Sequence, residues 1–454
     1  MTRRWFVRFV VVASWLSLLV PTPAYAAGGS PPKTQHVSTD PFVNPSSQHQ
    51  SEVEAQTVAA GSTVVAVFQA GRFFAGGGSS GIGFATSQSA GSSWTAGFLP
   101  GLTIYSPSPG PFARVTDATV AFDAKHAVWL VSSLDCTAPD CASAPSSILI
   151  NRSTNGGNTW SPPVTAFVGG ILDHPWIACD DAPASPHYGR CFVSIVGLTA
   201  GADLTVRSDD GGLTWSAAVA STGLGALQSI VQPNGNLVII GSGGAGVGTV
   251  RSTDGGLSFG AVVSVSNVMS HGVVAMRAVP APNLQIDGAG TLYAYWHDCR
   301  FRSGCTSNDI VYSTSPDALS WSGVARIAID KVTSGVDHFI PGLGIDPATS
   351  GSSAHLALTY YFLPKAACSF PSPDTCRLEV GFTSSTDGGK TWTNPHKLNH
   401  RAMDIAWLPN TTLGHMVGDY LSTAFAAGHT ITVFALASKP TGSLLQEAMF
   451  AAVG

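Results

Sequence analysis

Charged side chains are scarce in this sequence. Asp, Glu, Lys and Arg make up 11% of its 454 residues, only four residues are glutamate, and the formal net charge is −5. Nucleic-acid-binding proteins use a basic patch or stripe to contact phosphates, and no such stretch is present. We therefore expect no nucleic-acid partner.

Long apolar segments are missing beyond the N-terminal region. A helix that spans a bilayer needs roughly 18 or more apolar residues in a row, and no stretch after residue 20 approaches this length. The first 26 residues combine a basic stretch (3–8), an apolar run (9–20) and the small-residue site Ala24-Tyr25-Ala26. This pattern predicts a cleaved export signal, with twin-arginine export as a second interpretation. The mature protein is expected to be secreted, without membrane contact.

Amphipathic helical patterns are also rare. Gly accounts for 50 residues, and Ser, Thr, Val and Ala fill the segments between turns. Such a composition favours many short strands joined by tight turns, so an all-β fold is predicted. A linker over 27–49 precedes about 400 remaining residues, which is large for one compact core but ordinary for a repeat architecture.

The eight cysteines fall into four local pairs. An even number of cysteines at short separations in an exported protein predicts disulfide bonds rather than metal ligands. The predicted pairs are Cys136–Cys141, Cys179–Cys191, Cys299–Cys305 and Cys368–Cys376.

One short pattern, Ser-x-Asp-x-Gly-x-Thr-Trp, recurs along the chain. It is intact at 208–215 and 385–392, nearly intact at 252–259 and 153–160, and degenerate at 87–94 and 315–321. The Asp or Asn can accept hydrogen bonds from turn amides, the Gly allows a positive φ, and the aromatic residue anchors the turn. Each copy therefore predicts a structural hairpin turn, and its Asp is a poor candidate for catalysis.

These turns resemble the Asp-box, or BNR, repeats of the sialidase superfamily, and the resemblance covers residues 50–452. It implies a single β-propeller of four-stranded antiparallel blades, with each box between the third and fourth strands, on the face opposite the active site. Dividing the chain by this rule gives strand groups at 52–98, 115–167, 175–219, 227–265, 284–329 and 339–398, followed by three strands within 420–452.

The last group lacks a box and a fourth strand. We expect residues 36–42 to supply that strand and close the ring, because closure hides exposed sheet edges. Seven blades are predicted, with six as the alternative if the last group is an appendage.

The face opposite the boxes gathers carboxylates, arginines and phenols at strand ends. The resemblance implies a general acid, a tyrosine nucleophile with a neighbouring base, and arginines that grip a sugar carboxylate. The catalytic candidates are Asp117, Asp173, Tyr360, Tyr361, Glu52 and Glu54. The candidates for substrate binding are Arg72, Arg114, Arg277, Asp298, Arg300, Asp337, His338, Asp419 and Tyr420.

The sequence departs from the sialidase pattern at one important motif. Catalytic sialidases carry Arg-Ile-Pro near the start of the domain, and this chain has only the fragment Arg326-Ile327-Ala328. The carboxylate-binding arginine of that motif cannot be carried over. The strings at 296–300 and 416–420 look like elements of exported, sialidase-like BNR proteins, which supports the fold and location.

Three functions are compatible with these residues and motifs. The first is an exo-acting glycoside hydrolase on terminal acidic sugars such as sialosides. The alternative is a non-catalytic propeller that binds a glycan or protein through the same face. The third, a metal-dependent lyase or hydrolase, would use His174, His297 and His338, but their spacing matches no strong metal motif. We expect no cofactor, no metal, a monomer, and an extracellular glycan or glycoconjugate as partner.

Overall fold

Regular structure in this protein is almost entirely β-strand, as predicted. The computed structural model describes residues 33–136, 141, 144–221, 223–243, 246–371 and 376–454. Every described residue belongs to one compact unit, Pro31–Gly454. The predicted export signal lies outside the described residues.

Helical elements in the described part are short 3-10 turns: Ser303–Cys305, Gly351–Ser353 and Ile405–Trp407. None of the described helices has the length and apolarity to cross a membrane.

The strands form consecutive antiparallel sheets, each running from an innermost to an outermost strand. The first strand, β1 (Lys33–His36), pairs with the last. Sheet 1 contains β2 (Glu52–Ala60), β3 (Thr63–Arg72), β4 (Ser79–Ser87) and β5 (Thr95–Phe98). Sheet 2 contains β6 (Arg114–Asp123), β7 (Val128–Cys136), β8 (Ser147–Ser153) and β9 (Val164–Val168). A single residue pair, Ser79 with Val115, joins these two sheets.

The remaining sheets repeat this order. Sheet 3 contains β10 (Leu172–Cys179), β11 (Cys191–Gly197), β12 (Ala202–Ser208) and β13 (Val219–Ala220). Sheet 4 contains β14 (Ala226–Val231), β15 (Leu237–Gly243), β16 (Gly246–Ser252) and β17 (Val263–Ser266). Sheet 5 contains β18 (Asn283–Ile286), β19 (Leu292–Asp298), β20 (Asp309–Ser315) and β21 (Ala325–Arg326).

Sheet 6 contains β22 (Asp337–Ile345), β23 (Leu356–Leu363), β24 (Arg377–Ser385) and β25 (His396–Lys397), with β26 (Met403–Asp404) also paired to β24. A small hairpin of β27 (Asn410–Thr411) and β28 (Gly414–His415) follows. Sheet 7 contains β29 (Thr423–Ala426), β30 (His429–Ala437), β31 (Glu447–Val453) and β1.

Burial along the strands follows their place in the sheet. All nine residues of β7 are buried, whereas none of the four residues of the outermost strand β5 is. A second strand is packed on both faces by neighbouring sheets, so its apolar residues do not alternate with exposed polar ones, and even the polar residues of β7 are buried. The hydrophobic core therefore lies between successive sheets.

The innermost strands form a closed cycle. Strands β2, β6, β10, β14, β18, β22 and β29 contact one another in this order, and β29 contacts β2. Polar side chains reinforce the cycle: Gln56 Oε1 accepts a hydrogen bond from Val120 N (2.8 Å), and Ser422 Oγ donates to Thr57 O (3.2 Å). The fold is a β-propeller. The cycle supports the seven-blade count, which stays a prediction beside the six-blade alternative.

The N-terminal strand lies at the outer edge of sheet 7. Its register pairs Lys33 with Val453 and His36 with Phe450, and Val37 N donates to Met449 O (2.9 Å) beyond the strand. The strand thus begins and ends earlier than the predicted segment 36–42, because the pairing follows the end of β31.

The repeated turns connect third to fourth strands. In the turn after β24, Asp387 Oδ1 accepts from Ser385 Oγ (2.8 Å) and Thr391 N (2.9 Å), and Trp392 Nε1 donates to Gly389 O (3.0 Å). The turn after β12 repeats this pattern around Asp210. The Asp side chains therefore hold the turns together.

Each cysteine forms the predicted disulfide: Cys136–Cys141, Cys179–Cys191, Cys299–Cys305 and Cys368–Cys376. Within each sheet the first and third strands run in the same direction, so the innermost strands begin at the end opposite the repeated turns. We call the end where they begin the mouth and the other the turn end. All but Cys179–Cys191 lie in connections at the mouth.

Candidate functional site

Three adjacent innermost strands are interrupted by β-bulges near the mouth. Pairing with the second strand shifts register between Val53 and Gln56 in β2, Thr116 and Thr119 in β6, and Asp173 and Trp176 in β10. Within the bulges, Glu54, Asp117 and His174 adopt φ values of 61°, 52° and 50°. A positive φ costs a side-chain-bearing residue free energy, and bulges re-aim side chains beside functional sites. A register shift also interrupts β22, where the residue with positive φ is the buried Ile340. The bulges of β2, β6 and β10 differ because they carry polar residues.

Glu54 lies at the base of this mouth and is buried. Gln69 Nε2 donates to its Oε2, and Asp419 N donates to its Oε1 (3.3 Å). Burial raises the pKa of Glu54 to about 8, and the negative charges of Asp419 and Asp117 add to the rise while Arg277 and Arg72 oppose it. The site therefore favours the protonated form of this carboxyl group more than water does.

Arg72 ends β3 behind Glu54 and is 3% exposed. Its Nη1 donates to Gly78 O, and its Nε points to the sulfur of Met416 at 3.5 Å. Burial lowers the pKa of this guanidinium group, while Glu54 opposes the change. Arg72 supplies a fixed positive charge under the mouth.

Arg277 reaches the mouth from the long connection between β17 and β18. Its backbone N–H donates to His415 O (2.8 Å), which ties this connection to the β27–β28 hairpin. Its guanidinium forms two hydrogen bonds to the carboxylate of Asp419, with Nε to Oδ1 at 2.8 Å and Nη2 to Oδ2. The two side chains keep 22% and 15% of their surface exposed, so a ligand in the mouth can reach them.

Asp117 and Asp173 stand on neighbouring strands. Thr116 Oγ1 donates to Asp117 Oδ1 (3.0 Å). Asp173 is exposed to solvent, yet the walls of the mouth displace much of the surrounding bulk water. This desolvation and the charge of Asp117 raise the pKa of Asp173 to about 6, against the opposing effect of His174. A carboxyl group tuned in this way can donate a proton under mildly acidic conditions.

Aromatic rings form the wall below these carboxyl groups. His174 stacks on Trp176 with ring centroids 6.1 Å apart, and Tyr420 meets both rings edge-on. The Tyr420 hydroxyl donates to Ala118 O (3.3 Å). Burial, and then the charge of Glu54, raise the pKa of Tyr420 well above its ordinary value. The phenol is held as a neutral donor.

The structure thus brings together Glu54, Arg72, Asp117, Asp173, Arg277, Asp419 and Tyr420 among the predicted residues. We call this set the mouth cluster. Sequence reasoning did not include Gln69, it noted Met416 only as part of the string 416–420, and it considered His174 only as a metal ligand. No local motif identifies Gln69, whereas the Asp173-His174 pair at a strand start was a usable signal.

Three predicted catalytic residues lie elsewhere. Tyr361 is buried, its hydroxyl donating to Ala435 O (2.9 Å) between β23 and β30. Tyr360 is buried against His338, 5.4 Å between ring centroids. Glu52 points away from the mouth and accepts hydrogen bonds from Ser38 Oγ and Met449 N. The structure does not bring these side chains to the mouth cluster.

Several predicted binding residues make structural contacts instead. Arg114 donates to Ala75 O and Gly77 O, with its guanidinium 4.0 Å from the centre of the Phe73 ring. Arg300 forms two hydrogen bonds to the buried carboxylate of Asp298. These groups stabilise connections at the rim.

Asp337 and His338 lie at the start of β22 and are buried. Asp337 accepts hydrogen bonds from Asn308 N (2.7 Å) and His271 Nδ1 (3.1 Å), and His338 Nδ1 donates to Asn308 O (3.1 Å). They connect sheets 5 and 6 and do not join the mouth cluster.

Asp309, Asp330 and His338 form the one group with metal-ligand spacing among the described residues. Arg302 and Arg326 both pair with Asp309 and Asp330, at N–O distances of 2.5 to 2.8 Å. The two guanidinium groups already neutralise these carboxylates, so this chemistry fits an ion-pair network better than a metal centre.

A cavity of about 480 Å³ lies on the propeller axis toward the turn end. Its lining includes Gln56, Gln228, Asp181 and Asp287, but none of Glu54, Arg72, Asp117, Asp173, Arg277 or Asp419. Cavity volume alone would favour the axial cavity as the functional site. The convergent charges and the carboxyl groups with raised pKa favour the mouth. We assign the candidate site to the mouth on its chemistry.

Comparison with known proteins gives matches to solved structures only. No family model and no curated protein matches the chain. Similar structures include the Hadza microbial sialidase Hz136, with 14% identity over 90% of this chain and 66% of that one, at a TM-score of 0.45. The chain therefore spans just under two thirds of that sialidase.

An α-L-arabinanase from Penicillium chrysogenum complexed with arabinobiose is similar over 94% of this chain and 98% of its own, with 10% identity and a TM-score of 0.44. YCF48 bound to a D1 peptide covers 95% and 98%, with 12% identity and a TM-score of 0.46. Sialidases and other glycoside hydrolases with propeller folds are thus among the similar structures. At these identities the similarity concerns the fold alone.

Proposed function

We propose that the mouth cluster is the active site of a sialidase-like glycoside hydrolase that acts on terminal acidic sugars such as sialosides. The observation that supports this proposal is the grouping of Glu54, Asp117 and Asp173 near Arg277, with Glu54 and Asp117 inside bulges and Asp173 directly before one. Two of these three carboxyl groups have a raised pKa. Perturbed carboxyl groups that converge in a concave site are typical of acid–base catalysis.

Asp173 is the general acid in this proposal. Its protonated form donates to the oxygen of the leaving group as the glycosidic bond breaks. Water then adds to the anomeric carbon and gives a proton to the Asp173 carboxylate, which restores the acid. Asp117, on the adjacent strand, is the second carboxylate and stabilises the positive charge that develops on the sugar ring. Glycoside hydrolases commonly use such a pair.

Glu54 and Tyr420 are assigned supporting roles. A tyrosine nucleophile needs a neighbouring base to remove its proton. Here burial raises the pKa of Glu54 to about 8, which disfavours its ionised, basic form, and the Tyr420 hydroxyl donates to a backbone oxygen. Both groups therefore act as positioning residues: Tyr420 holds the backbone of β6 at Ala118, and Glu54 holds Gln69 and the backbone of Asp419. Asp117 and Asp173 carry the chemistry.

Arg277 is the proposed anchor for the sugar carboxylate. A guanidinium group binds a carboxylate through two parallel hydrogen bonds. Arg277 already holds Asp419 in this way, so substrate binding requires Arg277 to share its donors or to exchange partners. Arg72 lies deeper and contributes its charge.

The ion pair between Arg277 and Asp419 also favours a second candidate function, a non-catalytic propeller that binds a glycan or protein at the same mouth. An occupied arginine and the missing Arg-Ile-Pro motif both weaken a sialidase assignment. A binding protein needs the arginines but has no use for a tuned proton donor at Asp173. The two candidates therefore differ in what Asp173→Asn does.

The deciding experiment measures turnover of the mature protein on fluorogenic sialosides, arabinosides and neutral hexosides. We expect turnover of an acidic substrate above that of a heat-inactivated sample, and its loss in Asp173→Asn. Turnover of a neutral sugar only would contradict the substrate class. No turnover anywhere, with glycan binding that Asp173→Asn leaves unchanged, would establish the binding function instead.

The proposed setting is extracellular, with the protein acting as a monomer. Four disulfide bonds are typical of proteins that fold in an oxidising compartment. Detection of the processed chain in culture medium, and its mass in solution by light scattering, would test both parts.

A further inference from the structure

The first and last sheets meet at a seam that contains two buried glutamates. Glu52, at the start of β2, and Glu447, at the start of β31, are 0% and 1% exposed. The chain segments beside them are joined: Glu447 N donates to Gln50 O (2.8 Å), and Leu445 N donates to His49 O (3.1 Å). We call Ser38, Glu52, Glu447 and Met449 the seam.

Hydrogen bonds at the seam satisfy only part of these carboxyl groups. Glu52 Oε2 accepts from Ser38 Oγ and from Met449 N (2.9 Å), and Ser38 Oγ also accepts from Met449 N (2.8 Å). Glu52 Oε1 and both carboxyl oxygens of Glu447 have no partner with good hydrogen-bond geometry, and the Glu52 backbone N–H is the one donor near Glu447 among the described residues. A carboxylate so placed would leave unpaired negative charge in the interior, which is strongly unfavourable.

The ionisable groups nearest the seam do not compensate the two glutamates: His49 acts on Asp40, and its Nε2 contacts Asn44 O (2.8 Å). Asp40, in the segment after β1, is a further acid, and it accepts from Phe42 N (2.8 Å) and Ser51 N (3.0 Å). Tyr361, from β23, faces Glu447 but its hydroxyl is bonded to Ala435. No lysine, arginine or histidine of the described residues forms an ion pair with Glu52 or Glu447.

We propose that Glu52 and Glu447 form a proton-dependent clasp that closes the ring. With both carboxyl groups protonated, their O–H groups can donate to the unpartnered oxygens and the seam is closed. When both groups ionise, like charges face each other in the interior. Strand β1 and the segment 37–51 then loosen from sheet 7.

The direction of the pH effect follows from where these groups titrate. Burial raises the pKa of Glu52 to about 8 and that of Glu447 well above its ordinary value, with Glu52 adding to the rise. Because the unfolded chain has the ordinary glutamate pKa, the stabilisation is complete below that value. It is lost as the pH rises through the higher folded-state values.

The test is hydrogen–deuterium exchange of the mature protein at about pH 5 and about pH 9, corrected for the intrinsic exchange rate. Peptides that cover 33–52 and 444–453 should lose roughly tenfold or more of their protection at the higher pH. Peptides from the buried strands β7 and β11 should keep theirs. Equal protection of the seam at both pH values would overturn the proposal.

Variants separate the clasp from a general effect of pH. Glu52→Gln combined with Glu447→Gln replaces both acids by neutral side chains of the same shape, so protection of the seam should no longer depend on pH. Glu379→Gln is the control, since Glu379 pairs with the exposed Lys397 outside the seam and should leave the wild-type pH dependence intact. A double variant with the wild-type pH dependence would contradict the clasp. If it does not fold, the wild-type exchange decides, and neither readout depends on enzymatic activity.

Discussion

Carboxyl groups at the two ends of this propeller have opposite properties. At the turn end, Asp387 accepts hydrogen bonds from the Thr391 side chain and backbone, and these bonds hold its pKa at about 2. At the mouth, burial raises the pKa of Glu54 to about 8. The same chemical group favours its charged form at one end and its protonated form at the other. The number of donors and the degree of burial decide the role.

The largest expected effect separates the two ends by activity. Asp173→Asn removes the proposed proton donor, so turnover should fall by roughly 10²- to 10⁴-fold. Asp387→Asn is the matched control, because it makes the same chemical change at the turn end. Steady-state kinetics on the substrate found by the glycoside panel would measure both. A similar loss of turnover in Asp173→Asn and Asp387→Asn would contradict the proposed difference between the two ends.

The pH profile should reflect the mouth alone. Asp173 must carry its proton to act as the acid, so kcat/KM should decline as the pH rises above about 6, by roughly tenfold per pH unit. Asp387, with a pKa of about 2, stays ionised across this pH range, so it should not affect the pH dependence of kcat/KM. Activity that instead increases between about pH 6 and pH 8 would identify an ionised Glu54 as the base.

Two arginines at the mouth end sharpen the comparison further. Arg277→Ala removes the partly exposed anchor, and affinity for an acidic sugar should fall by roughly tenfold to a hundredfold. Arg300→Ala removes the partner of buried Asp298, so it should lower the melting temperature and leave affinity unchanged in the folded fraction. Isothermal titration with matched thermal unfolding distinguishes the effects. If Arg300→Ala weakened binding and Arg277→Ala did not, Arg300 would be the anchor for the sugar instead of Arg277.

The smallest effect should come from the turn end. Asp387→Ala removes the acceptor for Ser385, Thr391 N and the Thr391 hydroxyl, so the free energy of unfolding should fall by about 1 kcal/mol. Ligand affinity should not change. Urea denaturation would measure the loss. An unchanged midpoint would show that the Asp387 side chain does not stabilise the turn.

Sequence reasoning succeeded where the signal is local. The turn around Asp387 is defined within eight residues, and each disulfide closes a short separation, so spacing was enough to predict both. The mouth residues Glu54, Asp117 and Asp173 were predicted because each sits near the start of an innermost strand. Strand order then brings these starts to one end.

Sequence reasoning was weaker where the partner is distant or the environment decides. Arg277 pairs with Asp419, 142 residues away, which no local pattern indicates. Tyr361 lies on a second strand, which neighbouring sheets bury on both faces, so a position near a strand end did not bring its hydroxyl to the mouth. The bulges also escaped prediction, because a positive φ at Glu54 or His174 leaves no mark in residue type.

The position of a bound ligand tests the central claim most directly. A crystal structure of the mature protein with the sugar it binds should show the ligand at the mouth, with its carboxylate on Arg277 and its glycosidic oxygen beside Asp173. A ligand in the axial cavity beside Asp181, or at the repeated turns, would contradict the account.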